Sequence, residues 1–348
     1  MSNPLRLAPG RARPSSIPRS LGRDARLRAC PLSIILLHRS FLRSCEAHED
    51  AFLASVPVGS VGFFLSHSWA ADGLWKQIGL AISCCSSASY KVMLFSSAVA
   101  AGLLYDPAWI GYQYELSVCA FGFVTFIITL FVIPLVKHRK TMVFLDKCCI
   151  PQKDPIAKSY GISRLADYLH ASDKLLILWS SDYLDRLWCV YELAVFLETH
   201  DKDDVVLLNL DHLKLCVSLM FLQFVSIVVA ILAEPYCVDV WYILCVFLLA
   251  SSLLTDYGAY RCSEEWQKFC SEVKCFTLRK AKCSSLADYP ILKQLIVDMY
   301  GSETRFEAAV RALWLGERRE RQYPAWLLSA ASLRVICGLI SLSFWGVL

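Results

Sequence analysis

Apolar positions in this chain follow two different spacings. In residues 92–105, 116–136, 215–232 and 238–254 they run almost unbroken, whereas in 61–66, 142–146, 174–179 and 204–210 they form short bursts that end in polar residues. The long runs predict membrane helices. Residues 116–136 alone are an uncharged stretch of 21 residues, enough for a hydrocarbon layer of about 30 Å. The long runs come in pairs, so they predict two hairpins, 91–136 and 215–255. The second hairpin turns at Ala233-Glu234-Pro235, where a proline and an acid suit a water-exposed loop. A last run, 326–348, is interrupted by Arg334 and is expected to form a further membrane or interfacial segment within 324–348.

The short bursts predict strands, and the segments between them carry helical spacing. Residues 71–82, 162–170 and 185–198 fit helices, 273–278 a fifth strand, and 291–300 and 303–315 two closing helices separated by Gly301 as a stop. With the hairpins removed, strands alternate with helices, which is the pattern of a doubly wound parallel α/β sheet. Such sheets bind ligands at the carboxyl ends of their strands, where Ser66, Asp146 and Ser180 fall. The expected organisation is a sheet domain in two parts, 59–90 and 141–211, interrupted by the first hairpin. A segment at 256–322 completes or flanks it.

Composition supports the membrane reading. Charged residues are 19% and apolar ones 56% of the chain, against about 25% and 45–50% in ordinary soluble domains, so lipid must cover part of the surface. Basic residues cluster at Lys137-His138-Arg139-Lys140, Lys214, Arg261 and Arg318-Arg319, while the hairpin turns carry none. The long polar segments are therefore expected on the cytosolic side of an integral membrane protein. A net charge of +4 carries no nucleic-acid signature. The first fifty residues hold nine arginines and no acid before Asp24, so 1–58 is expected to be a disordered or transit-like basic arm.

The sixteen cysteines are scattered, several inside apolar runs, and no secretory signal opens the sequence, so they are expected to be reduced and buried. Cys262, Cys270, Cys275 and Cys283 form the densest group but lack a Cys-x-x-Cys pair or a nearby histidine. No metal is expected there. No GxGxxG or Walker-type loop occurs, which disfavours a dehydrogenase or a P-loop ATPase.

One acid stands out in Leu187-Trp188-Cys189-Val190-Tyr191-Glu192-Leu193. A carboxylate at the mouth of an α/β sheet can stabilise a cationic transition state, which makes Glu192 the catalytic candidate. The plainer reading is an acid at a helix start, favoured by the helix dipole. Trp188 lies one turn earlier on the same face.

Three stretches together resemble a Toll/interleukin-1 receptor (TIR) domain, of the membrane-embedded type found in unicellular algae. Phe63-Phe64-Leu65-Ser66-His67-Ser68-Trp69 resembles its first strand and Phe144-Leu145-Asp146 its second. Ser180-Ser181-Asp182-Tyr183 with Trp188-Cys189-Val190-Tyr191-Glu192-Leu193 resembles the third-strand exit and the following helix. The similarity covers residues 60–84 and 141–210 and implies a flavodoxin-like sheet. Some TIR domains cleave NAD+ at the nicotinamide glycosidic bond with the glutamate matched by Glu192. Others only assemble with further TIR domains or copies of themselves, through the loop matched by 147–160. For cleavage, Ser66, His67, Asp146 and Trp188 are the expected substrate-binding residues, NAD+ is the substrate and no cofactor is needed. The chain departs from active members in one respect, because Ser66-His67-Ser68-Trp69 offers only a histidine where they carry a basic residue. The alternatives are a catalytically silent scaffold and a channel or transporter. The channel reading lacks the intramembrane charges that usually mark a path.

Overall fold

The computed structural model describes residues 27–38, 40–43, 49–103, 112–136, 140–233, 240–283 and 285–315. The fold is mixed α/β, built on one six-stranded, mostly parallel sheet. Its first elements are β1 (Leu27–Pro31), α1 (Leu32–Leu37), α2 (Ser40–Arg43), α3 (Glu49–Leu53) and β2 (Val56–Val58). Then come β3 (Val61–His67), α4 (Gly73–Leu103), α5 (Tyr112–Val136), β4 (Met142–Phe144) and α6 (Asp146–Cys149). Two helices, α7 (Pro155–Ser163) and α8 (Leu165–His170), lead to β5 (Ser172–Trp179), α9 (Leu187–Thr199) and β6 (Val205–Asn209). The rest is helical: α10 (Leu210–Ala233), α11 (Val240–Lys274), α12 (Asp288–Tyr300) and α13 (Glu303–Leu315).

The four apolar bursts expected as strands are β3, β4, β5 and β6, and all four pair in parallel in the spatial order β4-β3-β5-β6. Along β3 and β5 nearly every residue toward the carboxyl end is buried. That is the mark of a strand covered on both faces. The chain leaves β3 for β4 on one side and returns to β5 on the other, so the connection reverses between β3 and β5.

Two expectations are corrected. Within the basic arm expected over 1–58, the described residues, 27–38, 40–43 and 49–58, are folded. β1 pairs antiparallel with β4 through Cys30↔Val143 and with β2 through Leu27↔Val58. The cause is burial: Ala29, Cys30, Leu32 and Ile35 are fully enclosed, and the strand covers what would be an open sheet edge at β4. Arg28 belongs to this fold too, donating from Nε to Ser55 Oγ at 2.9 Å and lying 4.6 Å from the Phe52 ring centre. The second correction is the fifth strand at 273–278, where α11 continues to Lys274. Phe269 and Val273, both buried, are four residues apart and so follow the helical period. The following segment pairs with the connection before α9 through an isolated parallel bridge, Arg186↔Lys282, and beyond it Tyr300 donates its hydroxyl to the Ala194 carbonyl at 2.9 Å.

Among the described residues, three helices are long and apolar enough to cross a membrane: Gly73–Leu103, Leu116–Val136 and Leu210–Val229. The fourth expected run falls largely in α11, and 326–348 lies outside the described residues. The boundaries expected at 90/91 and 211/215 fall inside unbroken helices. α4 has 31 residues, or about 46 Å, which exceeds one hydrocarbon layer. Its early residues Leu80, Ala81, Ile82 and Cys85 are buried, whereas Phe95, Val99 and Leu103 are exposed. α10 follows β6 directly, capped by Asn209, whose Oδ1 accepts from the amides of Asp211 and His212. It buries Leu210, Leu213 and Cys216 before exposing Phe221 and Leu232. Both helices thus pack on protein first and present apolar side chains afterwards. Phe123 of α5 stacks on Phe224 of α10 at 4.3 Å and ties the apolar halves together.

Candidate functional site

The carboxyl ends of β3 and β5, on either side of the reversal point, bring together the polar residues that their strands end on. Ser66 is fully buried. Its hydroxyl donates to Glu192 Oε2 at 2.5 Å and contacts the Tyr183 hydroxyl at 2.8 Å. Tyr183 comes from the β5–α9 connection and is itself fully enclosed. Burial and the neighbouring Cys189 and Glu192 hold its phenol well above the usual range.

Glu192 is the sixth residue of α9, and that helix has no acid in its first turn. The helix-start explanation of this glutamate therefore fails. Among the described residues no ion pair reaches it. Burial pushes its carboxyl up to about 8, reinforced by Asp146 and opposed by the Ser66 hydrogen bond and by Arg186. At neutral pH the group carries a proton.

A second network lies alongside. Ser68, fully buried, donates to Asp182 Oδ2 at 2.5 Å and accepts from Arg186 Nη1 at 2.8 Å, while Ser180 donates to Asp182 Oδ1 at 2.6 Å. Burial pulls the Asp182 carboxyl upward, but the Ser180 and Ser68 hydroxyls and Arg186 bring it below the ordinary carboxylate range. Arg186 adds a positive charge to this network. Its guanidinium, from the loop before α9, lies against the Ser66-His67-Ser68-Trp69 stretch through Ser68.

His67 is only 8% exposed, its ring edge-on to Trp69 at 4.5 Å, and its Nε2 has no partner among the described residues. Burial, then Lys76 and Arg186, lower it to about 3, so it is neutral. Asp146 opens α6, accepting from Trp69 Nε1 at 3.2 Å and from the Lys147 amide at 2.6 Å. Burial raises its carboxyl. Cys189 is buried with its thiol pushed well above the ordinary value, which removes it as a nucleophile.

Of the residues expected from sequence, Ser66 and Glu192 are in direct contact, while His67 and Asp146 both contact Trp69. Trp188 has its ring contact with Tyr191, at 6.1 Å, rather than with this network. Tyr183, Ser68, Asp182, Arg186 and Lys76 were missed as side chains with roles. The Ser-Ser-Asp-Tyr motif contains two of them, Asp182 and Tyr183, and the Phe63–Trp69 stretch contains Ser68. A separate cavity of about 370 Å³ sits at the ends of β5 and β6, lined by Trp179, Asn209, Glu265, Phe269 and others, with Glu192 not among its walls. Among the described residues, no group of three or more His, Cys, Asp or Glu side chains could hold a metal ion.

No family model, curated protein or solved structure matches the chain. The site has therefore to be read from its own chemistry.

The proton on Glu192 has a stability consequence. Below the ordinary carboxyl value of 4.5 the group is protonated folded or unfolded. Between there and about 8 the folded state keeps a proton that the unfolded chain releases, so stability falls as pH rises, and the loss is complete above that window. Glu192→Gln cannot titrate. Its melting temperature in detergent is expected to gain on the parent protein from pH 5 to pH 8 and to level off beyond; a constant difference across the range would contradict the assignment.

Proposed function

We propose that this chain is a membrane-anchored TIR-like signalling protein that cleaves NAD+ at Glu192, its sheet domain facing the cytosol. The observation that supports this most is the Glu192 carboxyl, held by Ser66 at the reversal point between β3 and β5, with no ion pair among the described residues. We read the order of the parallel strands, second-first-third-fourth along the chain, as flavodoxin-like. In that arrangement the reversal point is the ligand crevice.

The chemistry asks little of the protein. Nicotinamide leaves as a neutral ring when the bond between C1′ of the ribose and the pyridinium nitrogen breaks, taking the electron pair with it. The ribosyl group left behind is oxocarbenium-like, and a carboxylate beside it stabilises the charge. Water then adds at C1′, giving ADP-ribose, nicotinamide and one proton. Glu192 must be ionised for this role, so the free protein at pH 7 is largely in an inactive protonation state. A pyridinium beside Glu192 draws off its proton, coupling activation to binding. Arg186, bonded to Ser68, sets a positive charge near the same crevice.

The test is nicotinamide release from NAD+ by the purified full chain. kcat/KM is expected to rise with pH to a plateau above about 8, and Glu192→Gln to lose at least about a hundredfold. Equal turnover by Glu192→Ala would sink the reading.

One observation favours self-association as the working state. α7, in the loop region matched to TIR assembly, buries none of its residues, and Ile156 is 75% exposed. An apolar side chain so placed suits contact with a second copy. Ile156→Asp is expected to weaken association of the full chain in detergent, read by sedimentation, with its melting temperature unchanged. Unaltered sedimentation would remove α7 from the interface.

A further inference from the structure

The contact between Ser66 and Glu192 has a third member, and all three side chains stand on fixed backbone. Ser66, next to last in β3, lies opposite Ile177 of β5. Tyr183 is fully enclosed in the turn between β5 and α9. There its amide donates to the Ser180 carbonyl at 3.0 Å, its carbonyl accepts from the Arg186 amide at 3.2 Å, and its ring packs on Trp179 at 5.4 Å. Proton counting fixes the direction of the bonds. A serine hydroxyl has one proton to give and lone pairs with which to accept. With that proton on Glu192 Oε2 at 2.5 Å, the 2.8 Å contact has the Tyr183 hydroxyl as donor and Ser66 Oγ as acceptor. Tyr183 also reaches the Cys189 carbonyl, but at 3.5 Å, beyond the ordinary O–H···O range of about 2.5–3.0 Å. Its phenol keeps its proton throughout, since burial, Cys189 and Glu192 all raise it well above the usual value.

When Glu192 carries a proton the chain can run the other way, from Glu192 to Ser66, from Ser66 to Tyr183, and from Tyr183 to the Cys189 carbonyl. That direction ends on the long contact. The direction that ends on the carboxylate consists of the two short ones, so the geometry is built for the ionised group, against the burial that favours the neutral one.

We infer that Tyr183 is a positioning residue for the proposed cleavage, its hydroxyl donating to Ser66 Oγ so that the Ser66 proton stays on Glu192 Oε2 while charge develops on the ribosyl group. This rests on the NAD+ reading and adds a residue that acts only through Ser66, without touching the substrate. Donors in series polarise one another, so loss of the Tyr183 hydroxyl weakens the bond from Ser66 to Glu192 without removing it. The other groups around the carboxyl act differently. Asp146 opposes its ionisation, and Arg186 favours it by charge. Cys189 keeps its thiol proton and directs it to the His67 carbonyl at 3.8 Å, and the His67 ring is neutral.

The test reads the Glu192 carboxyl itself. The full chain with carboxyl-labelled glutamate is titrated in detergent by carbon NMR, the Glu192 signal being assigned by its loss in Glu192→Gln. Tyr183→Phe keeps the ring and removes the hydroxyl. It is expected to raise the Glu192 midpoint by about one pH unit, tenfold in the ionisation constant, and to have no further effect in a Ser66→Ala background, because its influence passes through Ser66. Equal shifts in the two backgrounds, or no upward shift in the parent, would overturn the relay. Where Tyr183→Phe fails to fold, replacing tyrosine throughout by meta-fluorotyrosine, a stronger donor, decides the matter. A lower midpoint in the parent sequence and an unchanged one in Ser66→Ala is expected, and a midpoint that fluorination leaves alone in the parent overturns the relay equally. Nicotinamide release from NAD+ is scored separately, its pH plateau moving up with the Tyr183→Phe midpoint. A plateau that stays put while the midpoint moves would sever Tyr183 from the reaction. The titration needs no substrate, so the relay and the cleavage reading can each fail alone.

Discussion

Peptide groups in hydrocarbon have no water to bond to, so a chain that enters lipid must satisfy its own backbone, and a helix is the local way to do it. α4 and α10, both long and apolar enough to cross a membrane, are built in a particular manner. Each begins at the carboxyl end of a strand, packs its first turns against the sheet, and continues without a break into turns whose apolar side chains face outward. α10 passes from β6 into the apolar bundle with no linker between them. Gly79 shows how tight the junction is, since a Cβ there would stand 2.8 Å from the Leu208 side chain and 3.3 Å from that of Leu213. The helix that ends among exposed apolar residues is the one that begins beside Trp69 and Lys76.

How much of this is legible in the sequence depends on whether the signal is periodic. The four parallel strands are bursts of apolar residues bounded by turns, and they fall where that pattern puts them. Gly301, at φ 78°, ends α12 as its position implies. Continuity is not legible in the same way, because residues 83–91 are mixed in polarity and read as a gap, whereas in three dimensions Ser86 and Ser89 are buried between packed helices. The N-terminal strand is hidden by composition: arginine-rich sequence resembles an unstructured arm, although Ala29 and Cys30 within it are core residues. The run at 273–278 carries strand-like residues, but its first two belong to the end of α11.

The candidate site divides along the same line. Ser66, Asp146 and Glu192 are found because strand ends and one acid in an apolar helix are local signals. Tyr183, Asp182 and Arg186 lie in a connection of no fixed period, and only the register of β3 against β5, from Val61↔Ser172 to His67↔Leu178, places that connection over Ser66. His67 behaves oppositely to an exposed imidazole, because Trp69 and the surrounding cations leave it buried and neutral. Burial acts on Glu192 in the same sense, disfavouring charge, and the single hydroxyl of Ser66 offsets only part of it. A carboxyl group kept neutral by its surroundings, yet ionisable when a cation arrives, is the feature on which the catalytic proposal turns.

That feature can be observed without any turnover. Isotope-edited infrared spectra of the detergent-solubilised chain, with labelled glutamate and Glu192→Gln as the subtraction, report the carbonyl stretch of this one protonated carboxyl. The band should be present at pH 7 and disappear with a midpoint near 8. A midpoint near 4.5 would mean that Glu192 is an ordinary ionised surface acid, and the proposed site would lose its physical basis.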